Sequence, residues 1–370
     1  MRKLLLFIAL VSASLLIASP WPFPGSAAQA AEKKSERAMA LEEKAKGGDP
    51  EAQYALGLMH SRGEEVPFNQ KKAAEWYRMS AEQGHAMAQY LLGEMYFKGV
   101  GVDRDRVEAA GWFGKAADLE VAQAQFMLGV IYAYGHGLPE DQAMAAEWFL
   151  KAAERGHVEA QYGVAVRYAT GNGLDRDPQK SAGWFERAGE QGHSLSQYNA
   201  GVAYGEGLGV PKDHGKAAGW YRKAAESGVD SAQYRLARMY LEGQGLEPDH
   251  AMAAHWYERA AEQGHADAQH DLALMLEEGR GVPRDPERAA GWQLKAAEQG
   301  HAEAQYRVAQ RYGEGNGVER DMERAAHWMA QAADSGHPGA KKAVRPTAPG
   351  TPEPPGATAA PATGAPVTPR

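Results

Sequence analysis

An all-α solenoid of stacked helix–turn–helix repeats is the fold predicted for this 370-residue chain, and three kinds of recurrence predict it. Trp76, Trp112, Trp148, Trp184, Trp220, Trp256, Trp292 and Trp328 stand 36 residues apart without a slip. Gln53, Gln89, Gln125, Gln161, Gln197, Gln233, Gln269 and Gln305 keep the same step, each preceded by Ala or Ser. A glycine column runs from Gly63 to Gly315, and Asn69 opens a column continued by aspartate from Asp105 to Asp321. Periods of roughly 20–50 residues mark repeat arrays, and such arrays present a long continuous surface instead of one enclosed pocket. Eight full repeats occupy residues 49–336.

The first segment, residues 1–30, reads as a secretory signal peptide: Arg2 and Lys3, an apolar run from Leu4 to Ala18, then small residues ending at Ala30. The apolar run is shorter than the roughly 20 residues a spanning helix needs, so no membrane insertion is expected once the signal is cleaved. A periplasmic or secreted location follows as an expectation. Residues 31–48 place Ala40, Ala45 and Gly48 one period before Trp76, Ala81 and Gly84, which predicts an N-terminal capping helix.

Within a repeat, Ala88, Leu92 and Tyr96 are spaced i, i+4, i+8, the pattern of a helix with one buried face. Gly99 and Gly101 supply a turn, and Asp105 can cap the next helix by accepting from its free amides. The second helix carries Ala109-Ala110, Trp112-Phe113 and Ala116-Ala117. Small residues at both ends allow close backbone approach, while the Trp fills the wider gap and is expected to be buried only by stacking on a neighbouring repeat. Gly336-His337 and Lys341 begin a ninth unit that stops at Pro346, so residues 337–345 predict a short C-terminal capping helix. Residues 346–370 hold eight prolines among Ala, Thr and Gly, the composition of a disordered, polyproline-like spacer.

The repeat unit, seen almost whole from Tyr198 to Gly228, closely resembles the Sel-one-like repeat, a relative of the tetratricopeptide repeat. The likeness covers about 290 residues. It implies a right-handed superhelix whose concave side is lined by the first helix of each pair. It also implies an adaptor, scaffold or regulator, with a β-lactam- or cell-wall-acting hydrolase as the alternative, since some secreted members are β-lactam-hydrolysing. Those members are cysteine-rich, and this chain has no cysteine. It departs from the pattern at Glu65 and Glu120, which replace turn glycines, and at His270 and Leu276, which replace tyrosines. Glu120 puts the turn between the second and third repeats in most doubt.

Composition narrows the chemistry further. Without cysteine there are no disulfides, no thiolate nucleophile and no Cys-ligated zinc. The net charge of −8, or −10 without Arg2 and Lys3 (38 basic against 48 acidic residues), opposes nucleic acid as a partner. Six histidines form one column from His85 to His337, but a full repeat separates neighbours, too far for a shared metal. They read as residues opening the first helices. Asp103/Asp105 and Asp175/Asp177 lack the remainder of a calcium loop and read as helix caps. No catalytic residue, metal or cofactor is therefore expected.

Recognition is expected where the repeats differ. The columns starting at Glu51, Ala55, Leu58 and Arg62 lie on one stripe of the first helix and vary from copy to copy. With Leu58 at its start, the stripe is rich in apolar residues in repeats two to five, at Leu91, Met127, Val130, Tyr134, Val166, Leu195 and Val202, and in repeats six to eight it holds Arg235, Arg238, Asp271 and Arg307. These twelve residues are the candidate site for a protein or peptide partner in the cell envelope, with apolar anchors preceding charged orientation.

Overall fold

The computed structural model describes residues 36–344, so the expected leader at 1–30 and tail at 346–370 lie outside the described residues. All regular structure among them is helical. The described chain divides at residue 224 into two compact units. The first holds α1 (36–46), then α2 (Pro50–Arg62), α3 (Gln70–Glu82), α4 (Ala86–Lys98), α5 (Arg106–Asp118), α6 (Ala122–Tyr134), α7 (Gln142–Glu154), α8 (Val158–Thr170), α9 (Pro178–Glu190) and α10 (Ser194–Glu206). After α11 (His214–Glu226), the second holds α12 (Asp230–Glu242), α13 (His250–Glu262), α14 (Ala266–Glu278), α15 (Pro286–Glu298), α16 (Ala302–Glu314), α17 (Met322–Asp334) and α18 (Pro338–Val344). Within each unit consecutive helices pack on one another, which is the helix-pair stacking of an all-α solenoid.

Helix ends are set by the repeating columns. The Asp105 carboxylate accepts from the Val107 and Glu108 amides at 3.0 Å, and Asp249 and Asp285 each accept from the amide three residues on at 2.9 Å. These are N-caps, worth typically about 1 kcal/mol each. The histidine column caps the first helices in the same way: His85 Nδ1 accepts from Ala88 N at 3.1 Å and His301 Nδ1 from Ala304 N at 3.1 Å. The opposite ring nitrogen reaches back one repeat, His85 Nε2 to Glu51 at 3.0 Å and His337 Nε2 to Glu303 at 2.9 Å. Most of these rings also stack on a ring of that repeat, as His157 does on Phe126 and His265 on Tyr234, while His193 lies tilted against Tyr162. Position opening the helix is thus also a fastener between repeats.

The glutamine column does parallel work inside the core. Gln53, Gln89, Gln125, Gln161 and Gln197 are buried, and each Nε2 donates to the carbonyl eight residues back, at 2.9–3.2 Å, tying a first helix to the preceding second helix. Gln233, Gln269 and Gln305 repeat this in the second unit. The second turn glycine is forced by close approach: a Cβ on Gly209 would lie 2.2 Å from the Pro178 carbonyl carbon.

Two sequence expectations need refinement. The turn at Glu120 forms: its backbone takes the left-handed φ of 65°, its amide bonds to the Ala117 carbonyl at 3.0 Å, and Arg155 pairs with its carboxylate. In the first six repeats the deepest ring is not the Trp but the residue after it. Tyr77, Phe113, Phe149, Phe185, Tyr221 and Tyr257 are all buried, whereas of the Trp column Trp112 and Trp256 are buried and the other six half-buried. The Trp packs against the core of the preceding repeat, as Trp112 does with Ala73 and Tyr77, and from the second repeat to the seventh a cation three residues on lies over its ring. Lys115 lies 3.8 Å above Trp112 and Lys295 3.9 Å above Trp292.

Candidate functional site

An apolar groove of about 330 Å³ opens in the first unit between α8, α9 and α10. Tyr162 and Val166 come from α8, Phe185 from α9, Val202 and Ala203 from α10, and Leu208 from the following turn. The helix period brings Tyr162, Val166 and Ala169 to one side, as it does Asn199, Val202 and Ala203 on the facing helix. Leu208 is 51 % exposed, so the groove is open to solvent along that edge.

One small residue sets this groove apart from the equivalent places in other repeats. Ala203 stands in a column whose other members are Met59, Met95, Ile131, Arg167, Met239, Met275 and Arg311. In two repeats a long side chain is packed at this position: Arg167 is buried, its guanidinium 4.9 Å from the Phe149 ring centre and bonded to Gln142, and Arg311 is buried against Glu277 at 2.9 Å. Three repeats before the large groove, Met95 and the Lys98–Glu94 pair leave only about 170 Å³. At Ala203 the methylene, sulfur and methyl of a methionine are missing, and the space stays open.

Polar groups at the groove are few. Arg176 is the one charged side chain lining it, and it has neither a carboxylate nor a hydrogen-bond partner among the described residues. Its counterparts Arg284 and Arg320 instead bond to the carbonyls of Glu277 and Gly313 at 3.0 Å. Asn199 donates from Nδ2 to the Leu195 carbonyl at 2.8 Å, which leaves its Oδ1 as an acceptor. Among the described residues no group of three or more His, Cys, Asp or Glu side chains is placed to hold a metal ion.

The eight apolar residues expected for recognition divide into three groups. Val166 and Val202 meet in this groove, and Leu91 lines its smaller counterpart. Leu58, Met127 and Val130 are half-buried and packed against core clusters, so they are partly structural and not a free face. Tyr134 and Leu195 are exposed, the former stacked on His136.

The charged members are mostly engaged within the chain. Arg238 bonds Glu242 at 2.7 Å and Arg307 bonds Glu303 at 3.0 Å, while Arg235 is half-buried. Asp271 lies among Tyr234, Tyr257 and Arg238. Burial pushes its carboxyl above the usual range against the hydroxyl of Tyr257, and burial likewise raises Tyr234 to about 12. Sequence reasoning missed Phe185, Ala203, Leu208 and Arg176; the signal for Ala203 was the lone small residue in a column of long ones.

Comparison with known proteins bears on the repeat and its fold. The Sel1 repeat model matches eight consecutive segments from residue 50 to residue 337. The crystal structure of c5321, described as a protective antigen of uropathogenic Escherichia coli with an SLR fold, is 37 % identical with a TM-score of 0.77 over 82 % of this chain. The chain spans 65 % of that protein's length. A Sel1 repeat protein from Oxalobacter formigenes is 33 % identical with a TM-score of 0.62, covering 82 % of this chain and 88 % of its own. No curated protein matches the chain. With its eight matched repeats and these two structural neighbours, the chain belongs to the Sel1 repeat family.

Proposed function

We propose that this protein is a non-enzymatic interaction scaffold of the cell envelope, and that it holds a segment of another polypeptide in the groove between α8 and α10. The observation that carries this reading is the 330 Å³ apolar opening, at the place where other repeats insert a Met, Ile or Arg side chain. Solenoid arrays use extended surfaces of this kind for binding, and an open apolar groove is the receptor for apolar anchors on a partner segment. Val166 and Val202 line it, and the leader-like residues 1–30 support the envelope location.

The test is selection of a phage-displayed random peptide library on the purified protein, followed by binding of recovered peptides to a Val202→Asp/Leu208→Asp variant. Leu208 is exposed and Val202 half-exposed, so helix content should be retained in far-ultraviolet circular dichroism. Loss of binding with helicity intact supports the reading, and unchanged binding removes the groove as the site. Turnover of a chromogenic β-lactam by purified protein, in proportion to its concentration, would replace the scaffold with a hydrolase.

A further inference from the structure

The groove has a composition that selects among polypeptides, and the selection rests on the scaffold reading above. We infer that its partner segment presents one large aliphatic or aromatic side chain beside an acidic residue, the apolar group entering the notch at Ala203 and the carboxylate meeting Arg176. The notch is the volume of a missing methionine side chain, since Met95, Met239 and Met275 hold the same position in other repeats. Its walls, Val166, Phe185 and Val202, carry no charge and leave an inserted polar group without compensation.

Charge complementarity fixes the second feature. Arg176 is the one cation lining the groove and has no partner among the described residues, whereas Lys180 close by is already paired with Asp177 at 3.5 Å. A guanidinium left free at the edge of an apolar groove is complementary to a carboxylate, with which it forms a two-pronged hydrogen bond. The Oδ1 acceptor of Asn199 then lies on the same wall as Ala203, available to a backbone amide of the segment. A basic segment would meet Arg176 with like charge, and a small-residue segment would leave the notch unfilled.

The experiment selects peptides from a phage-displayed random library on the intact protein and measures them by fluorescence anisotropy against three proteins: wild type, Ala203→Met and Arg176→Glu. Recovered peptides should pair Leu, Met or Phe with Asp or Glu. Ala203→Met should weaken them at least tenfold, and Arg176→Glu should weaken them about fivefold or more with an effect that shrinks in high salt. Ala203→Met recreates what four other repeats contain, and Arg176 is exposed, so both variants should fold. Peptides that bind through Val202 and Leu208 yet are indifferent to Ala203→Met or Arg176→Glu would overturn this inference while sparing the scaffold reading. Basic or small-residue peptides would overturn it too, and recovery of no peptide at all would remove both.

Discussion

Acid should weaken the second unit at one identifiable place. In six repeats the first helix offers a Tyr or Phe to the buried ring of the second, as Tyr234 does to Tyr257 with ring centres 5.8 Å apart. In the seventh repeat both are exchanged: His270 and Gln293 take those positions and pair at 2.8 Å through His270 Nδ1. Burial, with His301 stacked at 4.7 Å and Arg307 nearby, pulls the His270 pKa down to about 4 against the opposing influence of Glu303 and Asp267. The folded state therefore binds this proton more weakly than the unfolded state does. Its stabilising contribution is complete above the unfolded value near 6.5 and is lost as pH falls from there toward 4. The full shift corresponds to roughly 3 kcal/mol, of which more than about 2 kcal/mol is gone by about pH 4.5. The perturbation is His270→Tyr with Gln293→Tyr, restoring the aromatic pair of the other repeats. The assay is hydrogen exchange of α14 and α15, corrected for intrinsic rates, beside urea unfolding at both pH values, because repeat arrays need not unfold in one step. The wild type should lose local stability between about pH 7.5 and about pH 4.5 by some 2 kcal/mol more than the double variant. An identical pH dependence in the two proteins would refute the assignment to His270.

Three further outcomes test the packing rules. Leu119→Gln should stabilise by about 1 kcal/mol in urea unfolding, the usual net worth of a hydrogen bond: Gln83, Gln191, Gln263 and Gln299 each donate to a core glutamine Oε1 thirty residues back, whereas the buried Gln89 Oε1, opposite Leu119, has no protein partner. Glu120→Gly should stabilise by roughly 0.5–1 kcal/mol, because a left-handed backbone costs a non-glycine residue about 1–2 kcal/mol and the exposed pair with Arg155 returns little. Gly209→Ala should destabilise by more than about 2 kcal/mol, since the new methyl meets the Pro178 carbonyl at 2.2 Å and backbone must move; a melting temperature within a degree or so of wild type would contradict that contact.

The difference between what the sequence disclosed and what it hid is physical. Columns repeated eight times could be read directly, because a 36-residue period that survives in Trp, Gln, Gly and Asp requires a part that recurs in space: caps at Asp105 and Asp249, clamps at Gln89 and Gln269. Depth could not be read in that way. Trp112 and Phe113 are both large and adjacent, and only the helix's position against Gly93, whose Cβ would come within 2.9 Å of the Phe113 ring, makes Phe113 the deeper one. Variation and exposure are likewise separate properties: Met127 and Val130 vary while packing on the core, and Asp271 varies while lying among tyrosines. Ala203 shows the reverse: it lies in a column that reads as core, so its small size looks like ordinary packing until the structure shows an opening beside it. In a solenoid each repeat can only bury itself against its neighbours. A deletion of side-chain volume at one copy is therefore not absorbed by a distant part of the core but stays where it arises, as a surface opening. That locality is why the position to examine is the one small residue in a column of long ones.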